Sequence, residues 1–308
     1  MAAAHPQYPA LLYNVACGES LAGWKGRRYR GAGVKLALVL IVQLSDIHIG
    51  GARHDDALLE LAIGEINEVR PDLVVVAGDV TDEGYPDQYA TARERLGGID
   101  CPHLVVVPGN HDARHVGYLQ YETTFGSRDS RLRLLIDETE VAVVAVDSSK
   151  PDIDEGEIGR EHYAWIVEGF SEPADLRIFA CHHHLMPIPG TGRERNQVLD
   201  AGDVLSLLRQ AGVDVVLSGH RHVPYVWPVA GMLLIHSGTA STLRTRAFTQ
   251  PAYNLVRADA ETISIELRVP GGEAQPLGSY PREWPAELSA RDADPVIHFA
   301  RGPNLAND

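Results

Sequence analysis

Leu73-Val74-Val75-Val76-Ala77-Gly78-Asp79-Val80-Thr81-Asp82 sets five aliphatic residues against a glycine and two aspartates. A run this short and this rich in β-branched side chains reads as a strand buried on both faces. The same texture recurs on either side. The apolar run 36–44 leads into Ser45-Asp46-Ile47-His48, and 103–107 leads into Pro108-Gly109-Asn110-His111-Asp112. The run 177–181 is followed by His182-His183-His184, and 213–217 by Ser218-Gly219-His220-Arg221-His222. A further apolar run covers 141–147. Between these runs, apolar residues recur three or four apart. Leu58, Leu59, Ala62, Ile66 and Val69 predict a helix over 56–69, and similar spacing predicts helices over 86–96, 161–169 and 202–211. Alternating strands and helices imply a layered α/β domain. After 223, apolar runs at 225–229, 232–236, 252–257 and 262–268 follow one another without a helix and predict antiparallel strands.

The chain has 308 residues, 44% hydrophobic and 22% charged, which excludes a disordered or fibrous protein. A formal net charge of −15, with no run of five like charges, argues against an extended nucleic-acid surface. The longest uncharged apolar stretch, within 36–44, is far short of the roughly 18 residues of a membrane span. Arg27-Arg28 precedes it, but the run leads into a polar motif instead of a small-residue cleavage site. Cys17, Cys101 and Cys181 match neither a CxxC motif nor a zinc ribbon and read as thiols of a reducing compartment. A cytoplasmic protein is expected. Three parts are expected along the chain: an irregular N-terminal extension over 1–33, a catalytic domain over 34–268, and a proline-rich tail with little regular structure over 269–308.

In an α/β domain the carboxyl ends of parallel strands share one rim. Five loops therefore bring imidazoles, carboxylates and an amide to one edge. A lone histidine at a strand end is usually structural. Five loops together need a positive partner to offset the burial of their charges, and divalent metal supplies it. The mixed N/O donor set suits Mn, Fe, Co, Ni or Zn. In an extended segment Asp46 and His48 point the same way and can grip one ion, and His220 and His222 repeat this spacing.

The ordered set Asp46-x-His48, Gly78-Asp79, Gly109-Asn110-His111-Asp112, His182 and Gly219-His220-x-His222 resembles the calcineurin-like metallophosphoesterases. Ser45 before Asp46, and a His-His element leading to Pro187-x-Pro189, are most similar to the bacterial cyclic-nucleotide and glycerophosphodiester phosphodiesterases of that superfamily. The resemblance implies a four-layer α-β-β-α sandwich of two mixed β-sheets flanked by helices. It implies two divalent or mixed-valence metal ions at the rim. Asp46, His48 and His222 would hold the first, Asn110, His182 and His220 the second, and Asp79 would bridge them. His111 would meet the substrate's phosphate or leaving-group oxygen, with Asp82 orienting it and Asp112 as a rival for that role. Hydrolysis would proceed by attack of a hydroxide shared between the metals. His183 and His184 read as pocket-lining or hydrogen-bonding residues; His54, Arg114, His115 and Arg193 lie near motif loops and read as solvated loop residues, with contact to a substrate anion as the alternative.

Protein phosphatases of the superfamily carry arginines where this chain has Glu83 and Pro108. A phosphomonoester dianion would lose two bidentate partners. A small phosphodiester is therefore the expected substrate, with no membrane span and with self-association possible. The alternatives are a nuclease or phosphomonoesterase of the same superfamily, or a non-catalytic metal-binding scaffold.

Overall fold

The computed structural model describes residues 37–191, 196–247 and 249–283. The N-terminal extension read over 1–33, Cys17, Arg193 and the tail beyond 283 lie outside the described residues.

Strands β1 (Val39–Leu44), β2 (Leu73–Ala77) and β3 (Leu104–Val107) alternate with helices α1 (Asp56–Val69) and α2 (Pro86–Leu96). The three strands pair in parallel. α1 starts where the Asp55 carboxylate accepts from the backbone N–H groups of Ala57 and Leu58. Pro86 opens α2, where its missing N–H costs nothing.

A second set follows: α3 (Gly117–Phe125), β4 (Ser130–Ile136), β5 (Thr139–Ala145), α4 (Tyr163–Gly169), β6 (Leu176–Ala180), α5 (Ala201–Gln210) and β7 (Val215–Ser218). The chain then runs through β8 (Tyr225–Val229), β9 (Met232–His236), β10 (Tyr253–Ala258), β11 (Thr262–Arg268) and β12 (Ala274–Pro281). The strands form two mixed six-stranded sheets, ordered β12-β11-β10-β1-β2-β3 and β4-β5-β6-β7-β9-β8.

The two-residue period of each strand sorts side chains between layers. Val39, Ile41, Val75 and Val107 face Val143, Ile178, Leu217 and Ile235 across the sheet–sheet interface. Their neighbours Val42, Leu44, Val74 and Val76 point outward onto Leu59, Ala62 and Ile66 of α1 and Ala92 and Leu96 of α2. Val144, Phe179, Val216 and Leu234 pack outward on Ile166 of α4 and on Val204 and Leu208 of α5. The four-layer sandwich expected from the resemblance is the observed fold.

One polar cluster interrupts the interface near the carboxyl ends of the strands. Gln43 Nε2 donates to the carbonyls of Ser218 (2.9 Å) and Ile235 (3.1 Å). Asn254 Nδ2 donates to Gln43 Oε1 (3.0 Å) and to the His236 carbonyl (3.1 Å). Ser218 Oγ lies 2.7 Å from His236 Nδ1. This clasp joins β1 and β10 of one sheet to β7 and β9 of the other. Burial pushes the His236 imidazole down to about 3, so it is neutral there.

Several expectations are corrected. Residues 274–281, inside the span read as an irregular tail, form β12 on the sheet edge, where Pro276 is tolerated because no further strand needs its N–H. β9 is antiparallel to β8 but parallel to β7, so it does not belong to a purely antiparallel set. The helix expected over 161–169 opens with a 3₁₀ turn, Arg160–His162, before α4. β4 and α3 have no counterpart in the sequence reading.

Candidate metal centre

The parallel strands of both sheets end on the same rim, and the polar residues that follow them meet there. Asp46 and His48 follow β1, Asp79 and Asp82 follow β2, and Asn110 and His111 follow β3. From the second sheet, His182 follows β6, and His220 and His222 follow β7.

Three groups of ligand atoms each lie within 4.8 Å: Asp46–His48–His222, His48–Asp79–His111 and Asp79–His182–His220. His48 Nε2 and His222 Nε2 face each other at 3.1 Å. Asp46 Oδ1 lies 3.2 Å from His222 Nε2 and 3.9 Å from His48 Nε2, buried and without a hydrogen bond. On the other side, Asn110 Oδ1 lies 3.2 Å from His182 Nε2 and 2.9 Å from His220 Nδ1. Asp79 stands between: its Oδ2 is 3.7 Å from His48 Nε2 and 3.2 Å from His182 Nε2.

Neighbouring groups fix the orientation of each ring. His182 Nδ1 donates to the Ala77 carbonyl at 2.7 Å, and His222 Nδ1 to the Arg244 carbonyl at 2.5 Å. Each turns Nε2 inward, the usual arrangement around a metal. His48 Nδ1 lies 3.1 Å from Asp82 Oδ1. His220 is reversed, with Nδ1 inward. The Asn110 amide is turned by its N–H, which donates to Asp154 Oδ1 at 3.2 Å.

The electrostatics call for positive charge. Burial alone would raise the Asp79 carboxyl, but His182 and His111 outweigh it and hold it well below the usual range. Burial opposes a charge on His182, yet Asp79 and Asp46 lift it to about 9. Facing imidazole nitrogens and an unpaired buried carboxylate oxygen fit a divalent cation. The donor set supports a divalent metal site.

Five of these residues have left-handed backbones: Asp46 (φ 55°), His48 (53°), Asp79 (52°), His220 (74°) and His222 (56°). Aspartate and histidine tolerate this region better than most residues, but each still costs roughly 1 kcal/mol or more. The expectation that Asp46 and His48 converge from an extended segment is therefore corrected. Two left-handed turns re-aim the side chains after β1 ends.

Glycine permits the closest approach. A Cβ on Gly219 would lie 1.8 Å from Ser45 Oγ and 2.5 Å from Asp46 Oδ2, the oxygen that accepts from the His220 N–H at 2.9 Å. Gly219→Ala is expected to destabilise the fold by about 1–3 kcal/mol and to weaken cation binding. Thermal melts and metal titration read both, and unchanged metal affinity would mean that the position of Asp46 is not set there.

His111 lies at the outer side of the group, its ring edge-on to His48 at 4.5 Å between centroids. Its N–H donates to Asp79 Oδ1 at 2.8 Å, and its Nδ1 donates to the Asp82 carbonyl at 2.7 Å. Burial works against protonation, but Asp79 and Asp82 carry the imidazole above its ordinary value. The Asp82 carboxylate lies 3.5 Å from His111 Nδ1, farther than its 3.1 Å from His48 Nδ1, so it serves both rings. Asp112 does not orient His111. Its carboxylate accepts from the N–H groups of Val80, Thr81 and Gly109 and from Thr81 Oγ1, stapling the loop after β3 to the loop after β2.

His183 hydrogen-bonds to Ser148 Oγ and to the Asp154 carbonyl, and His184 is buried beside His220 and His236. Neither ring enters the cage, in keeping with the pocket-lining reading. Asp154 is the residue that the sequence reading missed. It follows no apolar run, and nothing in the sequence places it beside Asn110.

The profile of the calcineurin-like phosphoesterases matches residues 39–224, more than half of the chain. The chain belongs to the calcineurin-like phosphoesterase family. Among curated relatives, this calcineurin-like phosphoesterase is 31% identical over 293 residues to a cAMP/cGMP dual specificity phosphodiesterase of Mycobacterium tuberculosis, covering 86% of this chain and 90% of that one. It is 29% identical over 164 residues to the glycerophosphodiester phosphodiesterase GpdQ of Enterobacter lignolyticus, covering 49% of this chain and 58% of the relative. The chain thus spans little more than half the length of the GpdQ proteins that it matches. In fold it is similar to the purple acid phosphatase PPD1 of yellow lupin, with a TM-score of 0.63 and 14% identity, covering 80% of this chain and 54% of that one. It is also similar to GAP50, the anchor in the inner membrane complex of Plasmodium, with a TM-score of 0.60 and 16% identity, covering 79% of this chain and 88% of that one. No helix among the described residues is long and apolar enough to cross a membrane.

Proposed function

We propose that this calcineurin-like phosphoesterase hydrolyses small phosphodiesters of the cyclic-nucleotide or glycerophosphodiester type, using two metal ions drawn from Mn, Fe, Zn, Co and Ni. The observation that carries this reading is the placement of Asp79 Oδ2 within 3.7 Å of His48 Nε2 and 3.2 Å of His182 Nε2, between two clusters of inward-facing donors. In this reading Asp46, His48 and His222 would hold one ion and Asn110, His182 and His220 the other, with Asp79 placed to serve both. When bound, such a pair supplies charge neutralisation at the phosphoryl group and acidifies a water enough for attack at neutral pH.

The remaining roles fall to the chain itself. The Ala77 and Arg244 carbonyls and Asp154 keep the donor atoms turned inward before substrate arrives. His111, whose imidazole Asp79 and Asp82 carry above its ordinary value, would offer a proton from Nε2 to the departing alkoxide. Asp82 fixes the His111 ring by accepting the Nδ1–H hydrogen bond at its backbone carbonyl. The relatives named as cyclic-nucleotide and glycerophosphodiester phosphodiesterases support a diester substrate. The thiols of Cys101 and Cys181, both free, fit a cytoplasmic setting.

A hydrolysis panel with metal-replete protein tests the reading. It compares cyclic AMP, a glycerophosphodiester, bis(p-nitrophenyl) phosphate, p-nitrophenyl phosphate and single-stranded DNA. At least one small diester is expected to exceed the monoester in kcat/KM by about tenfold or more, because a second phosphoryl charge lacks its own cationic partner. Bound metal with no turnover of any ester would point to a scaffold, and faster monoester cleavage to a phosphatase.

A further inference from the structure

Arg114 read as a solvated loop residue in the sequence, yet its guanidinium lies against the outer side of the cage. Nη2 is 3.2 Å from His111 Nε2, the atom turned away from Asp82. Nη1 donates to the Asp82 carbonyl at 3.2 Å and to Glu83 Oε1 at 2.9 Å. Asp154 Oδ1 faces Nη2 at 3.7 Å while accepting from the Asn110 amide. Glu83 Oε2 is 3.2 Å from His115 Nε2 on its far side. A single guanidinium thus stands between two carboxylates, its side chain only 26% exposed.

Two consequences follow from these distances. A substrate oxygen at hydrogen-bond distance from His111 Nε2 also comes near Arg114 Nη2, since the two nitrogens stand 3.2 Å apart. Arg114 cannot offer its full charge, because one carboxylate already takes Nη1 and a second faces Nη2. A singly charged phosphoryl group needs one donor edge from this guanidinium. A doubly charged one would bring its extra charge against Glu83, 35% exposed, and Asp154, 61% exposed, with like-charge repulsion that solvent partly screens.

We propose that Arg114 is the cation that meets the phosphoryl group, and that Glu83 and Asp154 hold it as a charge filter favouring singly charged diesters over doubly charged monoesters. The proposal rests on the diesterase reading above and names the residues that set its substrate charge.

The test pairs kinetics with binding. Glu83→Gln keeps the side-chain shape and frees Arg114. The ratio of kcat/KM for p-nitrophenyl phosphate to that for bis(p-nitrophenyl) phosphate is expected to rise about tenfold. Inorganic phosphate, titrated calorimetrically at pH 8 into metal-loaded protein, is expected to bind tighter by a similar factor. Arg114→Gln is expected to raise the diester KM and weaken phosphate binding about tenfold, with bound metal unchanged, and Arg114→Lys to restore part of the loss. An unchanged ester ratio in Glu83→Gln, or unchanged phosphate affinity in Arg114→Gln, overturns the proposal. If the wild-type protein cleaves no diester, the diesterase reading fails, while the phosphate titration still decides whether Arg114 binds the anion.

Discussion

Asp79→Ala is expected to abolish diester hydrolysis and to strip the centre of at least one cation. Asp79 stands between the two donor clusters, with Oδ2 near both His48 and His182 and Oδ1 accepting from the His111 N–H. Its removal leaves facing imidazoles without the charge that lifts His182. Losing a metal ion removes several kcal/mol of transition-state stabilisation, a rate loss of about a thousandfold or more. Metal content by mass spectrometry and diester kinetics read the two effects separately. Full metal occupancy together with native turnover would remove Asp79 from the scheme. Asp79→Asn makes a stricter variant, because it keeps an acceptor for the His111 N–H while removing the charge.

His111→Ala is expected to behave differently. Metal content should hold, because the Asp46–His48–His222 and Asp79–His182–His220 groups do not include it. kcat should fall about 10²–10⁴-fold, the range for losing a general acid. The fall should be steepest for diesters with poor leaving groups, where the departing oxygen most needs a proton. A uniform fall across leaving groups would assign His111 to phosphoryl binding and remove its proton-donor role. Loss of metal in this variant would instead make it a ligand, as the His48–Asp79–His111 grouping allows.

The sandwich was legible because each buried strand is a short β-branched run, and β2 and β8 fall where their runs predict them. β4 was hidden because Arg131 and Arg133 alternate with Leu132 and Leu134 on an edge strand that half faces solvent. β12 was hidden because its prolines and glycine read as breakers, which an edge position tolerates. The candidate ligands were visible because strand ends share a rim, so residues far apart in the chain could be expected to meet. How they meet was not visible. Left-handed turns at Asp46, His48 and Asp79 depend on tertiary contacts such as the Asp46 N–H on the Gly78 carbonyl and the His48 N–H on the Asp79 carbonyl, both 2.9 Å. The contacts of Asp154 with Asn110 and of Arg114 with Glu83 cross between loops, and no spacing rule encodes them. Asp112 stayed a rival to Asp82 in the sequence because adjacency to His111 says nothing about which way its carboxylate turns.

The clasp of Gln43, Asn254, Ser218 and His236 beneath the rim acts as an alignment key. Aliphatic layers slide past one another at little directional cost, whereas buried amides do not. A slip of one sheet by a single residue, about 3.3 Å, would break these hydrogen bonds and leave polar groups stranded in hydrocarbon at about 1–3 kcal/mol each. The angular precision of the rim is thus inherited from its foundation, and the two halves of the cage are brought into line by the folded chain itself.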